Sequence, residues 1–457
     1  MTLTLINTRL NLISLHKPGQ IWRDIAVIDG VITHVGRGLT VIAGPDTRIV
    51  DAEGAHVTPG GVDTHVHLSQ GAGCAVCGGT TTVVSFAAQE KWDEDVLKVV
   101  SDYHAKRASQ GGTYSDYGFH LILTNPTPAV LDEQLPILRK EGGISSVKLH
   151  MPYDNRQLSD AQIMAVLAVL ARTRQLGMTT MIHAENWDMI KFIIKLLEER
   201  GQTDPYFHTV SRPPLVETEA AYRAICIAEL MDMPILLVHV STKASRDHVR
   251  AAQTRMLPIH AETCPQYLYL MSDVLKMPDF EGAKYVCSPP LRDSPDDIAA
   301  LWEGIANGTF TTLSSDHCPS CWDHPQGKKL GLDAKTDRKV QRDPEWLLAR
   351  ILRNFMDWTR GIIAPGYDAD IVIWYPPYKA LVTIENGKLH HKIDYTPYEG
   401  FQLNNWPRYT ILRGKVVWAK DDGGLLGEQG YGKFVKRIGN QMRQATKVNH
   451  PFANLAK

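Results

Sequence analysis

The sequence predicts an α/β protein in which a (β/α)8 barrel of the TIM type carries a β-sandwich domain built from both chain ends. Three observations lead to this prediction. Short apolar runs recur eight times through the middle of the chain, amphipathic helical segments separate most of them, and hairpin patterns occupy the two ends. Strands that alternate with helices form parallel βαβ units, and eight such units close a barrel.

The hairpin patterns at the two ends resemble each other. Alternating apolar residues flank Asp29-Gly30 near the start of the chain and flank Arg413-Gly414 near its end. Alternation interrupted by such turns is typical of antiparallel strands. We therefore expect residues 1–56 and 361–457 to form the sandwich together and residues 57–360 to form the barrel.

The apolar runs of the middle region supply the eight predicted barrel strands. One helix between them is marked by Ser294-Pro295, and another by Ser159, since serine is a common N-cap and proline a common first helical residue. The predicted strands are Val57–Val62, Thr80–Phe86, Gly118–Leu123, Ser145–His150, Thr179–His183, Pro234–Val240, Leu257–Thr263 and Thr311–Asp316.

Composition excludes several classes of function. The 457 residues suffice for one barrel and one smaller domain, and 49 Lys+Arg against 50 Asp+Glu give a formal net charge of −1 without charged blocks. A nucleic-acid partner is therefore not indicated. No apolar run approaches the ~20 residues that cross a membrane. Because no targeting segment is evident and the seven cysteines are sparse, we expect a cytoplasmic protein with reduced thiols.

Polar residues stand at the ends of the predicted strands. His65 and His67 lie two residues apart, so their side chains point the same way. The carboxyl ends of all eight strands meet at one face of such a barrel, where the chemistry collects. Four imidazoles, an amine and a carboxylate on one face predict a metal site, and these donors suit Zn²⁺ and related ions. The six residues are His65, His67, Lys148, His183, His239 and Asp316.

Lys148 requires a separate explanation, because an ammonium group cannot bind a metal. Burial beside cations lowers the pKa of a lysine and favours its neutral amine. A neutral amine can add CO₂ and become a carbamate, whose two oxygens can bridge two metal ions. The sequence thus offers a candidate bridging ligand at Lys148.

At these residues the sequence resembles the cyclic amidohydrolases, and among them the dihydropyrimidinases and hydantoinases. The resemblance covers nearly the whole chain. It is most specific in the segments Thr58–Leu68, Ser211–Ala220, Ile363–Trp374 and His391–Gly400. It implies hydrolysis of 5,6-dihydrouracil, dihydrothymine or hydantoins to N-carbamoyl amino acids, a reaction of pyrimidine catabolism, by a homotetramer.

The resemblance also implies roles for individual residues. Two zinc ions would be bridged by carboxylated Lys148; His65, His67 and Asp316 would hold one ion, and His183 and His239 the other. Asp316 would also transfer the proton to the leaving nitrogen. Tyr153 matches the tyrosine that binds the substrate and its developing oxyanion, and Ser288 matches the segment whose backbone binds the cyclic amide.

Two segments are shorter than in this family, which leaves the completeness of the barrel open. Only Leu68–Cys77 separate His67 from the next strand, and after Asp316 a single predicted helix, Asp343–Trp358, leads to the terminal region. One alternative is therefore a non-catalytic scaffold protein that kept the fold. Another is an allantoinase or dihydroorotase, against which Tyr153 and the Ser211–Ala220 segment argue.

Overall fold

The computed structural model describes residues 2–12, 19–67, 74–157, 163–318, 320–324, 327–329, 360–376 and 381–437. In chain order the strands are β1 (Thr2–Leu12), β2 (Gly19–Ile28), β3 (Val31–Gly36), β4 (Arg48–Asp51), β5 (His56–Pro59), β6 (Gly61–Val66), β7 (Thr80–Ala88), β8 (Asp116–Ile122), β9 (Ser146–His150), β10 (Thr179–His183), β11 (Ile235–Leu237), β12 (Ile259–Thr263), β13 (Thr312–Leu313), β14 (Ile371–Trp374), β15 (Val382–Thr383), β16 (Gln402–Leu403), β17 (Pro407–Leu412), β18 (Lys415–Ala419) and β19 (Gly424–Leu425).

The α-helices are α1 (Cys74–Cys77), α2 (Val96–Ser109), α3 (Leu135–Lys140), α4 (Ile163–Gln175), α5 (Trp187–Glu199), α6 (Tyr206–Ser211), α7 (Pro214–Met231), α8 (Lys243–Thr254), α9 (Gln266–Tyr269) and α10 (Pro295–Ala306). Short 3-10 helices lie at Leu39–Ile42, Ser272–Lys276, Glu281–Tyr285 and Asn386–Lys388, and a π turn at Val130–Gln134 leads into α3. None of the helices in the described ranges is long and apolar enough to cross a membrane.

Strands β6 to β13 confirm the predicted barrel. Each pairs with the next one along the chain, and the pairs are parallel. The first and last strands also meet, because the His67 N–H donates to the His317 carbonyl at 2.6 Å and Val66 forms a bridge with His317. Apolar side chains from several strands fill the interior, among them Phe86, Met181 and Leu236.

Helices cover the outside of the barrel through their apolar faces. In α7, Ala220, Ala224 and Ala228 recur every four residues and are buried in the same core as strand β11. The predicted cap of α10 is confirmed, since the Ser294 hydroxyl accepts the Asp296 N–H. Ser159 and the predicted helix Asp343–Trp358 lie outside the described residues.

Nine strands from both chain ends form one mixed sheet, in the order β19-β18-β17-β14-β5-β1-β2-β3 with β4 beside β1. The core on this sheet combines Ile25 and Ile32 from the first part of the chain with Ile371 and Ile411 from the last. The two ends are thus one folding unit, as the sequence predicts for the β-sandwich domain. The limits of the domains stay a prediction.

The predicted first barrel strand, Val57–Val62, is wrong in its position. Residues His56–Pro59 instead pair antiparallel with β14 in the terminal sheet, and the barrel strand begins at Gly61. The chain passes between the sheets at Gly60, where a Cβ would lie 2.2 Å from the Thr81 hydroxyl. Only glycine permits this close approach. The partner strand lies more than 300 residues away, so the local pattern could not reveal this pairing.

Candidate metal centre

His65 lies at the middle of a cluster of polar side chains at the end of β6. Its Nε2 is 2.9 Å from Asp316 Oδ1 and 2.8 Å from Lys148 Nζ. His67 Nε2 lies 3.5 Å from the same Asp316 oxygen. One ligand atom from each of His65, His67 and Asp316 falls within 4.8 Å of the others. Two imidazoles and a carboxylate at this spacing can hold one cation.

Lys148 occupies the floor of this cluster. It is 2% exposed on β9, and its Nζ lies 4.6 Å from the centre of the Phe86 ring. The same ring packs against His65 and stacks on His67. Phe86 therefore packs against three polar side chains of the cluster, those of His65, His67 and Lys148.

His183 and His239 form the second half of the cluster. Their rings meet almost at right angles with centroids 4.3 Å apart, and the His239 ring lies 5.7 Å from that of His65. His183 Nε2 is 2.7 Å from Glu185 Oε2. Within the described part of the chain, the buried Nδ1 of His239 has no hydrogen-bond partner. Since a buried nitrogen without a partner is costly, the His239 imidazole fits a role as a metal ligand.

Burial and neighbouring charges shift the pKa values of His65, His67 and Asp316. Burial alone lowers the pKa of His65, but the charges of Asp316 and Glu262 outweigh burial and the opposing charge of Lys148, and raise it to about 9. Burial lowers the pKa of His67 to about 4. For Asp316, His65 outweighs burial and holds the pKa well below its usual range. A cation that binds here must displace the proton on His65, so its affinity should rise with pH.

Two carboxylates that the sequence analysis missed orient His65. Glu262 on β12 is fully buried, and its Oε1 lies 2.6 Å from His65 Nδ1. Asp63 Oδ1 accepts the His65 backbone N–H at 3.2 Å. The available signal was a charged residue within an apolar strand, the same signal that identified Lys148. Fixing the ring through its second nitrogen is the usual way to orient a metal-binding histidine.

Three of the candidate residues have an uncommon backbone conformation. The φ angles are 75° at Tyr153, 40° at His239 and 50° at Asp316. Positive φ is rare for residues with a side chain, and such strain concentrates at functional sites. Its occurrence at three residues around one cluster supports a functional reading of that cluster.

The structure places Tyr153 at the rim of the cluster. Its partly exposed ring meets the His183 ring edge-on at 5.4 Å and packs against Trp187 at 5.5 Å. The hydroxyl of a tyrosine held in this way can reach a small molecule that lies over the candidate metal ligands.

Ser288 is linked to the cluster only through other residues. Its hydroxyl lies 3.3 Å from His208 Nε2, and the same nitrogen is 2.8 Å from the Cys287 carbonyl. His208 Nδ1 accepts from Arg212, which lies 3.7 Å from Glu185, the partner of His183. The Ser288 segment is thus positioned by the polar side chains that also orient His183.

Comparisons with known proteins find relatives that span nearly the whole chain. No family model matches the chain. The D-hydantoinase of Ralstonia pickettii is 36% identical, over 91% of this chain and 95% of that protein. The D-hydantoinase of Geobacillus stearothermophilus is 34% identical, over 91% of this chain and 93% of that protein.

Solved structures show the same similarity. A crystal structure of D-hydantoinase superposes with a TM-score of 0.86 at 31% identity and covers 96% of this chain and 99% of its own. A dihydropyrimidinase from Brevibacillus agri NCHU1002 gives a TM-score of 0.85 at 28% identity and covers 97% of this chain and 100% of its own. The fold of nearly the whole chain therefore has counterparts in solved structures.

Proposed function

Since this chain belongs to the D-hydantoinase family of cyclic amidohydrolases, we propose that it opens the ring of hydantoins and 5,6-dihydropyrimidines, including dihydrouracil and dihydrothymine. The products are N-carbamoyl amino acids. The observation that carries the proposal is the group of His65, His67 and Asp316 at the mouth of the barrel, with Lys148 beside it. The family and this group of residues together support a metal-dependent reaction.

We further propose two zinc ions for each chain. His65, His67 and Asp316 would hold one, His183 and His239 the other, and Lys148 would bridge them as a carbamate. The position of Lys148 Nζ, 2.8 Å from His65 Nε2 on a residue that is 2% exposed, supports this role because it places the amine among the predicted metal ligands. When bound, the ions polarise the scissile carbonyl and lower the pKa of the attacking water.

The protein's own groups then move one proton. Asp316 accepts it from the water as the oxygen–carbon bond forms, and returns it to the ring nitrogen as the carbon–nitrogen bond breaks. Tyr153 donates a hydrogen bond to the carbonyl oxygen while negative charge develops there. The backbone at Ser288 binds the amide of the ring and holds the carbonyl in place.

Assembly and location complete the proposal. We expect a homotetramer, on the basis of the family resemblance. A cytoplasmic location is expected from the sequence, because its seven cysteines are sparse. Sedimentation of the purified protein tests the tetramer.

Metal content measured together with turnover tests the function. The purified enzyme should contain two zinc ions for each chain and hydrolyse dihydrouracil and hydantoin, but neither allantoin nor dihydroorotate. Lys148→Ala should lose metal and turnover together. Lys148→Arg keeps the positive charge but cannot form the carbamate, so it should fail in the same way.

Each other outcome contradicts a stated part of the proposal. Two zinc ions without turnover of any cyclic amide would indicate a substrate-binding loop lost with the shortened segment after Asp316, whereas a protein without zinc would favour the scaffold protein. Hydrolysis of allantoin or dihydroorotate alone would place the chain in another branch of the amidohydrolases. Full zinc content and turnover in Lys148→Ala would remove the carbamate bridge.

A further inference from the structure

The stretch of β6 that carries His65 lacks a regular strand partner. The pairing of β6 with β7 shifts register between Asp63 and Val66, so the ladder does not fix the backbone at Thr64 and His65. Hydrogen bonds from side chains hold the backbone there instead. Asp63 accepts the His65 N–H at 3.2 Å, and His120 Nε2 lies 2.8 Å from the Thr64 carbonyl. His120 therefore contacts the peptide group that joins Thr64 to His65.

The hydrogen bonds of His120 fix which of its nitrogens carries the proton. A carbonyl oxygen can only accept, so Nε2 donates to Thr64. On the other side, Nδ1 faces the Ser146 hydroxyl and lies 3.4 Å from Arg437 Nη1. A guanidinium can only donate, and Nδ1 therefore accepts. Burial, together with the charge of Arg437, holds the pKa of His120 well below its usual range, which agrees with a neutral ring.

Arg437 comes from the segment that follows β19, far along the chain from the barrel strands. It is 1% exposed. Its Nη1 donates to Ser146 Oγ at 2.8 Å, and its Nη2 donates to the Phe119 carbonyl. The segment is held in place beside β8, because the Val435 N–H donates to the Tyr117 carbonyl at 2.7 Å.

The burial of this charge needs an explanation. Within the described residues, no carboxylate forms an ion pair with Arg437. A buried guanidinium without an ion-pair partner is costly. The hydrogen bonds of Arg437 must therefore account for its presence in the core. All four groups that those bonds join, in Arg437, Ser146, His120 and Thr64, are at least nine-tenths buried.

We propose that Arg437 is a positioning residue for the metal centre, acting through Ser146 and His120 on the Thr64 carbonyl and so on His65. The segment after β19 would then contribute to metal affinity although none of its described residues, up to Arg437, is a candidate metal ligand. This inference rests on the proposed function, since it assigns a role toward the same metal ions. The chain's own hydrogen bonds supply every step: Arg437 donates to Ser146, Ser146 to His120, and His120 to Thr64.

The test measures zinc affinity by competition with a chelator and the visible spectrum of the cobalt(II)-substituted protein. Arg437→Met and His120→Leu should weaken zinc binding about 10- to 100-fold, as is typical when the support of a metal ligand is lost. Both should alter the cobalt bands, which report ligand geometry. Ser146→Ala, which removes one hydroxyl and is the mildest change, should give a smaller effect in the same direction.

Two variants separate positioning from simple stability. His120→Gln keeps an amide donor where Nε2 lies and should restore most of the zinc affinity that His120→Leu loses. Phe434→Leu changes the packing of the same segment against Phe119 and Tyr117, outside the hydrogen-bonded chain. It should lower the melting temperature and leave zinc affinity and the cobalt spectrum unchanged.

The opposite pattern would overturn the proposal. If Arg437→Met and His120→Leu lower the melting temperature but keep the zinc affinity and cobalt spectrum of the unaltered enzyme, Arg437 is only structural. Failure of the proposed function gives a different result, because the unaltered enzyme would then bind no zinc and hydrolyse no cyclic amide.

Discussion

The carboxylate of Glu262 lies 2.6 Å from Nδ1 of His65, on the side of the ring opposite the nitrogen that faces Asp316 and Lys148. The same Oε1 also lies 3.4 Å from the backbone N–H of His239. One buried carboxylate thus orients two candidate metal ligands that belong to different halves of the centre. Its removal should affect both halves together.

Replacement of Glu262 by alanine should weaken zinc binding and turnover about 10- to 100-fold, because His65 loses the acceptor that fixes its ring. Glu262→Gln keeps a carbonyl oxygen in the same place and should lose much less. Zinc titration of both variants against a chelator checks this. Equal affinities in Glu262→Ala and the unaltered enzyme would contradict the role of Glu262.

Tyr153 should act on the reaction and leave the metal unaffected. Tyr153→Phe removes only the hydroxyl, so kcat should fall about 10²- to 10³-fold, the usual loss for one donor to a developing oxyanion. Zinc content should stay at two. Trp187→Phe, which changes the neighbouring ring, serves as the control and should keep most activity. A rise in KM with unchanged kcat would instead assign Tyr153 to ground-state binding alone.

The pair of Arg292 and Glu217 should contribute strongly to stability when only one partner is removed. Both are 3% exposed, and Arg292 Nη2 lies 2.7 Å from Glu217 Oε2. Arg292→Met leaves a buried carboxylate without its cation and should cost about 3–5 kcal/mol in the free energy of unfolding. In a Glu217→Gln background the same change should cost less, since the group left behind is neutral.

Denaturant unfolding of the four proteins of this cycle measures the coupling between the two residues. The exposed pair of Lys98 and Asp102 provides the control, and Lys98→Met should cause no measurable loss. If Arg292→Met costs the same in both backgrounds, the two residues are not coupled.

His260 should make the protein less stable in mild acid. Burial lowers the pKa of His260 to about 4, below the ordinary 6.5 of the unfolded chain. Between these values the unfolded chain binds a proton that the folded protein does not, so stability rises with pH from about 4 to 6.5 and is lost as the pH falls. At pH 5 this group costs up to about 2 kcal/mol relative to pH 8.

The His260→Gln variant tests whether His260 causes the predicted loss of stability in mild acid. It keeps a polar side chain near Thr311 but does not titrate in this range. The loss of unfolding free energy between pH 8 and pH 5 should be smaller in the variant than in the unaltered protein. An equal loss in both proteins would show that His260 does not bind a proton on unfolding.

The sequence was most informative where its signals are local. Side chains two apart on a strand share a face, which relates His65 to His67, and the ends of parallel strands share an edge, which relates both to His183 and Asp316. To apply these rules it is enough to know which segments are strands and in what order they follow one another. Glu262 obeys the same rule, since it lies near the end of β12 among apolar residues.

The sequence by itself determined the barrel, the joint domain of the two chain ends and the six candidate ligands, because spacing and alternation encode them within short stretches. Only the tertiary structure decided that β5 leaves the barrel for a strand more than 300 residues away, and that Arg437 reaches His120 through Ser146. Such contacts depend on how distant segments pack against each other. The residue pattern within a short stretch does not show which distant segment it will meet.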